Sequence, residues 1–343
     1  MANHHVILLK RPGRNGEPTD DCFGYESCER PEAEKLESGQ VIVRSCYLSV
    51  DPALRCRMNE DTGVHYLTPW QMGSTIDGAG GVGVVENSRS AAFQKGDLVI
   101  TNQLMWPWKY YWVAEEKLLR KVDFLPPGIG ANTIISCLGL IGLTVLIGIQ
   151  EKGFLDPKKR PCFVVSGAAG ACGTLAGQIA KIYGCSNVVG ICGSDEKCTI
   201  LTKELSFTSA INYKRENVND RLKQLCPEGI GCYFDNVGGD VSEAVIENMC
   251  QDSHVVLCGQ ISQYNKDVPY PPPISAKIEQ VLKARNITRE RFLVLNYAEK
   301  FDAALKQLAV WILEGKLKVK ETLTEGLENT GKAFVATLYD ERC

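Results

Sequence analysis

Residues 161–183 read PCFVVSGAAGACGTLAGQIAKIY, and the fold of the chain turns on them. Phe163, Val164 and Val165 form the short apolar run that a strand buried on both faces requires. Gly167, Gly170 and Gly173 follow at three-residue spacing, and Leu175, Ile179 and Ile182 then recur as the apolar stripe of a helix. Strand, glycine turn and helix in that order set unpaired backbone N–H groups and the positive end of a helix dipole beside the turn. With no side chains in the way, a pyrophosphate can approach closely. A glycine triplet alone is weak evidence. Framed by a strand and an amphipathic helix, it favours dinucleotide binding over a purely structural loop.

The next stretch, Asn187–Cys192 (NVVGIC), reads as the second strand. It ends where an NAD-binding chain places an acid for the ribose hydroxyls. Here that end is Cys192, Gly193 and Ser194, with Lys197 one turn further on. A hydroxyl and an ammonium suit a 2′-phosphate, so the expected cofactor is NADPH. The competing view gives the ribose to Asp195 or Glu196. Acids opening a helix are more simply a cap and first-turn residues. Lys197 by itself also reads as a solvated helix lysine.

At 343 residues the chain has room for two domains with their own cores. A net charge of −3 argues against nonspecific nucleic-acid binding. The 15 cysteines are scattered without a C-x-x-C pair. The opening MANHHVILLKRPG lacks the apolar core and cleavage site of a signal peptide, so reduced thiols and a cytoplasmic location are expected. The longest apolar stretch, Ile134 to Ile149, is shorter than a membrane span and carries Ser136, Thr144 and three glycines. No membrane span is expected. Of the histidines His4, His5, His65 and His254, only His65 invites pairing with Cys46, and no third ligand is evident; no metal is expected. No G-x-S-x-G elbow supports a serine hydrolase.

Residues 1 to about 125 read as β-rich. Apolar or alternating runs at 6–9, 40–50, 80–86, 98–101 and 110–113 are separated by Pro12-Gly13, Asn15-Gly16, Ser38-Gly39 and Lys95-Gly96-Asp97. After Pro126-Pro127-Gly128 the pattern alternates helix and strand, the mark of a parallel sheet. A long helix is expected over 131–152, strands over 210–212, 231–234, 255–258 and 292–296, and helices over 196–205, 218–225, 241–249 and 301–314. The Pro-rich run 269–273 reads equally as a stiff spacer or a ligand wall.

Several motifs together carry a resemblance: YLSVDP (47–52), RCRMN (55–59), SGAAGACG (166–173), DNVGG (235–239) and GQISQYN (259–265). Over nearly its whole length the chain resembles the zinc-independent medium-chain dehydrogenases/reductases. MNEDTG (58–63) and SQYNKDVPYPPP (262–273) resemble the members that act on prostaglandins. The resemblance implies an α/β protein with a GroES-like β-rich domain over 1–127 and 300–343. A Rossmann domain, a doubly wound parallel sheet, would occupy 128–299. It also implies NADPH-dependent reduction of the enone double bond of a lipid, a 15-keto-prostaglandin, to the 13,14-dihydro product, by a monomer or homodimer.

Carried over by position, Gly170, Ala171, Cys172 and Gly173 would hold the pyrophosphate. Lys197 and Tyr213 would meet the adenosine phosphate, and Asn236 the ribose. Cys258, Gly259, Gln260, Ile261, Ser262, Gln263 and Tyr264 would line the nicotinamide half. The backbone of Phe292, Leu293 and Val294 would touch its carboxamide. Leu293, Val294 and Leu295, with Leu104 and Met105, would border the substrate. Tyr66 and Tyr264 would face the reacting atoms.

Hydride delivered to the β-carbon of an enone leaves negative charge on the carbonyl oxygen, which needs a donor in a dry pocket. The Tyr264 phenol suits that task, directly or through a ribose hydroxyl, because it donates while neutral. The closing proton would come from solvent or Tyr66. After residues 333–337 the chain ends at Cys343, without the closing strand and cofactor-contacting asparagine that the resemblance leads one to expect. An unpaired sheet edge is then expected in the first domain. Ile141 stands where relatives often carry proline, and Ala53 where an aromatic is common. The alternative readings are a quinone or alkenal reductase of the same family, or a cofactor-binding protein made inactive by its short C-terminus.

Overall fold

A computed structural model describes residues 2–102, 105–269 and 271–339. The chain divides into two units: Met1–Ile135, Asn265–Asp267 and Thr322–Arg342 form one, Ser136–Tyr264 and Val268–Glu321 the other.

In the first unit the strands are β1 (Asn3–Leu8), β2 (Phe23–Cys28), β3 (Gln40–Leu48), β4 (Asp77–Gly78), β5 (Gly81–Ser88), β6 (Leu98–Thr101), β7 (Trp106–Pro107), β8 (Tyr111–Glu115) and β9 (Leu119–Lys121). A five-stranded antiparallel sheet runs β8-β3-β5-β6-β9, while β1 pairs with β2 and β4 with β7. Strand alternation sends Val41, Val43, Val85, Val99 and Ala114 into one core around Trp106. A second core gathers Val6, Leu8, Leu54, Met58, Trp70, Ile76, Trp108 and Phe334. Phe334 comes from helix α9 (Thr330–Leu338), near the C-terminus. Its ring lies 5.9 Å from Trp70 and 6.2 Å from Trp108. Ala333, Phe334 and Leu338 repeat at helical spacing, so this last segment covers an aromatic core as a helix. Strands β8 and β9 are the edges of the five-stranded sheet.

The second unit holds six parallel strands: β10 (Cys162–Ser166), β11 (Asn187–Cys192), β12 (Ser209–Asn212), β13 (Ile230–Asp235), β14 (Met249–Leu257) and β15 (Thr288–Arg291). Their order is β12-β11-β10-β13-β14-β15. Period-two alternation gives each strand two apolar faces. Val164, Val189, Ile211, Tyr233 and Val255 pack on one face against Leu222 of α5 (Val218–Leu225), Val245 and Ile246 of α6 (Gly239–Glu247) and Ile278 of α7 (Ala276–Ala284). On the other face Val256 lies beneath Gly148 of α2 (Leu140–Gly148), and α2 packs against α3 (Ala171–Ile182) and α8 (Phe301–Leu313). Helices on both faces make the sheet doubly wound.

Three expectations need correction. The helix expected over 131–152 is interrupted: α1 (Asn132–Ser136) stops, α2 begins at Leu140, and a wider π turn covers Ile149–Gly153. By length and apolarity the run Asn132–Gly153 would suffice to cross a membrane, but about half of its apolar window is buried inside the protein. Residues 292–296 form no strand; the sixth strand is the polar Thr288–Arg291, and Phe292 turns its ring into the interior beside Gly148 and Tyr297. Helix α8, expected in the first domain, belongs to the second unit, because its Leu308 fills the space above Gly142 of α2.

Candidate functional site

The glycine turn lies at the carboxyl end of β10, whose neighbours β11 and β13 lead to opposite sides of the sheet. The three glycines have different tasks. Gly167 takes φ +58°, which turns the chain out of the strand. Gly173 is forced by packing, since a Cβ there would lie 2.3 Å from Gly167 O and 2.6 Å from Ala168 Cα. At Gly170 a Cβ would meet only Gly167 O, at 3.3 Å. Gly170 caps α3, with Ala171 exposed and Cys172 half-buried at the helix start. This cradle, open at Gly170 and backed by a 12-residue helix, fits a pyrophosphate.

Ser166 and Asp235 tie the strand ends together. Both open motifs noted in the sequence, 166–173 and 235–239, but neither is given a role there, because the sequence does not show which donors a buried Asp will meet. The Asp235 carboxylate accepts from Ser242 Oγ at 2.6 Å, Tyr233 Oη at 2.9 Å, Gly238 N at 2.9 Å and Val237 N at 3.0 Å. Its backbone oxygen takes the N–H groups of Cys258 and Gly259 at 3.0 and 2.9 Å. Burial, with the Asp235 charge beside it, pushes the Tyr233 phenol well above its ordinary range, so it stays protonated and donates. Asn236 Nδ2 donates to Ser166 O at 2.8 Å and Asn236 N to Ser166 Oγ at 3.1 Å. The amide expected at the ribose thus also closes the turn.

The segment after β14 folds over this platform. Ile261 N and Ser262 N donate to Asn236 O and Val237 O, each at 3.1 Å, and Gln263 N closes a tight turn onto Gln260 O at 2.9 Å. Gln260 is 2 % exposed, and its Oε1 is buried without a partner among the described residues. The Tyr264 hydroxyl accepts a long bond from Gln260 N at 3.4 Å, close above Gly259. Cys258 shares a hydrogen bond with Cys172, which with burial holds its thiol well above the ordinary range. That contact joins the glycine turn to the segment expected at the nicotinamide.

At the segment expected to meet the adenosine, Ser194 Oγ accepts from Lys197 N at 3.2 Å as the N-cap of α4 (Asp195–Lys203). Lys197 is 5 % exposed, which overturns the solvated-lysine alternative. Asp195 accepts from Asn212 Nδ2 at 2.7 Å and pairs with Arg215, so its carboxylate already has partners within the protein. Both partners hold its carboxyl below the usual range, Asn212 foremost. Tyr213 is exposed, its N–H bonded to Cys192 O at 3.1 Å. The side chains of Phe292 and Val294 are buried, while Leu293 and Leu295 are half-buried. The structure therefore brings 170–173, 236 and 258–264 together. Tyr66 and Met105 lie exposed in the first unit, and Leu104 lies outside the described residues.

No group of three His, Cys, Asp or Glu placed to hold a metal occurs among the described residues. Cys46 Sγ lies near Arg44, and His65 is exposed. The 14 described cysteines are free thiols.

Two family models match the chain: "N-terminal domain of oxidoreductase" over residues 4–122 and "Zinc-binding dehydrogenase" over 171–309. A Bacillus subtilis protein named as an NADP-dependent oxidoreductase, YfmJ, is 37% identical over 99% of this chain and 95% of its own length. Prostaglandin reductase 1 of Oryctolagus cuniculus is 36% identical over 95% of this chain and 88% of its own. The crystal structure of CurA from Vibrio vulnificus in complex with NADPH superposes with a TM-score of 0.88 at 30% identity, covering 99% of this chain and 96% of that one.

Proposed function

This chain belongs to the medium-chain dehydrogenase/reductase family of NADP-dependent oxidoreductases, and we propose that it reduces the enone double bond of 15-keto-prostaglandins as prostaglandin reductase 2 does. The observation that carries the reading is the cradle at Gly170, backed by α3 and bordered by the hydrogen-bonded ends of β10, β13 and β14. MNEDTG and SQYNKDVPYPPP support the prostaglandin substrate, as does the similarity to prostaglandin reductase 1. NADPH is the cofactor. A cytoplasmic location goes with the proposal, since a reducing compartment keeps thiols such as Cys172 and Cys258 free.

Bound NADPH supplies the hydride. Gly170–Gly173 hold its pyrophosphate with the first N–H groups of α3. Lys197 and Tyr213 meet the adenosine phosphate. Asn236 stands at the ribose, and Cys258 to Tyr264 with the backbone of 292–294 line the nicotinamide. Leu293, Val294 and Leu295 border the enone and keep water from it. Tyr264 donates to the oxygen on which charge gathers, a task that suits a phenol because it donates while neutral. Tyr66 or solvent supplies the last proton at the α-carbon.

The test is NADPH oxidation with a 15-keto-prostaglandin, a simple alkenal and a quinone, alongside cofactor binding by nicotinamide fluorescence. Fastest turnover of the 15-keto-prostaglandin is expected. Faster quinone or alkenal turnover would move the substrate to those classes, and binding without turnover would leave a cofactor-binding protein.

A further inference from the structure

Arg55 is fully buried, and among the described residues no carboxylate pairs with it. Its guanidinium bonds only neutral oxygens: Nε to Asn265 Oδ1 at 2.8 Å, Nη1 to Asn59 Oδ1 at 3.0 Å, and Nη2 to Gly13 O at 2.6 Å and Gly16 O at 2.9 Å. Burying a charge in this way is costly, and a core built for stability alone would hold an apolar side chain there. What the fork achieves is geometric. Its rigid donors join the 13–16 loop, the 55–59 turn and Asn265, three pieces far apart in the chain.

Asn265 is the first residue of a three-residue excursion. The chain leaves the second unit after Tyr264, runs through Asn265–Asp267 as part of the first unit, and returns at Val268. Each end of that excursion is fastened within the first unit. Asn265 is held by Arg55 and also hydrogen-bonded to the Tyr339 side chain. Asp267 pairs with Arg14 at 3.0 Å, and its N–H donates to Asn15 Oδ1 at 2.8 Å. On the other side, Tyr264 has its hydroxyl on Gln260 N, 3.4 Å away. The phenol therefore sits on a short piece of chain pinned one residue beyond it by a buried fork.

We propose that Arg55 is a positioning residue for the reduction, fixing the Tyr264 phenol through its hydrogen bond to Asn265; this rests on the role given to Tyr264 above. A displacement of about 1 Å at a reacting group costs on the order of a hundredfold in rate, so a pinned neighbour matters to turnover more than to binding. Removing Arg55 itself endangers folding, so the variants are made at Asn265. Asn265→Ala lowers kcat by roughly tenfold to a hundredfold, with NADPH affinity by fluorescence within about twofold of the unmutated protein. In the cofactor-free protein, hydrogen exchange of the peptide spanning 258–268 quickens while that of α9 does not. Asn265→Asp keeps an oxygen for Arg55 and recovers most of the lost rate. In a Tyr264→Phe background Asn265→Ala costs nothing further, because the two changes remove one contribution. Unchanged kcat and exchange in Asn265→Ala, or an equal further loss in the Tyr264→Phe background, would overturn the positioning role alone. Full turnover by Tyr264→Phe would remove the tyrosine from the mechanism and this inference with it.

Discussion

Ser242 Oγ donates to Asp235 Oδ2 at 2.6 Å, both residues fully buried, and this bond ties the first turn of α6 to the end of β13. The same carboxylate accepts from Tyr233, Val237 and Gly238. Asp235→Ala would leave those donors buried without acceptors, at about 1–3 kcal/mol each. A loss of about 3 kcal/mol or more in unfolding free energy is expected, together with loss of NADPH binding. Urea denaturation and cofactor fluorescence measure the two effects, and near-wild-type values in both would contradict the organising role of Asp235.

Gly170 and Gly173 should respond differently to the same added methyl group. Gly173→Ala places a Cβ 2.3 Å from a backbone oxygen, so the melting temperature falls. Gly170→Ala meets one oxygen at 3.3 Å and should fold normally, while the methyl occupies the cradle. NADPH affinity is expected to drop by about tenfold or more. Equal melting losses in both variants would argue against the cradle.

Tyr264→Phe is expected to lose roughly tenfold to a thousandfold in kcat, the usual worth of one donor to a developing oxyanion. NADPH affinity should be retained, since the ring remains. Steady-state kinetics and fluorescence titration together separate the two. Retained kcat excludes the phenol as donor.

Lys197→Ala removes a buried ammonium one helical turn past the end of β11. Preference for NADPH over NADH should shrink by about tenfold or more, read from kcat/KM with each cofactor. Equal use of both cofactors by the unmutated protein would end the 2′-phosphate argument.

His254 gives the fold a pH dependence. Its Nδ1 lies 2.8 Å from Thr288 Oγ1, and its ring packs 4.9 Å from Phe154. Burial first, then the charge of Arg160, hold the imidazole below its usual range, against an upward pull from Asp252 and Glu290. The unfolded chain therefore binds the proton more readily. The neutral ring's contribution is present above the unfolded pKa of about 6.5 and is lost as pH falls below it. Melting temperatures between about pH 7.5 and 5.5 should fall less in His254→Gln than in the unmutated protein. Identical slopes would show that the histidine contributes nothing.

Local patterns made much of the second unit legible. The apolar run 163–165, three spaced glycines and a 3.6-period stripe are short-range signals, and β10, the turn and α3 lie where they point. The same holds for β6, α5 and α8, whose periodicities are complete within the element. The long helix failed because apolarity over 131–152 says nothing about where backbone bonds are interrupted, and 292–296 failed because an apolar run suits a buried loop as well as a strand.

The sequence by itself determined the order of strand, turn and helix, because periodicity and glycine content act over a few residues. Only the tertiary structure decided which polar groups hold the ends together. Asp235 finds its donors on β13, the turn and α6, while Arg55 finds Asn265 210 residues away. Phe334 becomes core only where it meets Trp70 and Trp108. Such contacts depend on which distant segments share a dry interior, where a polar group must find its partner or be lost.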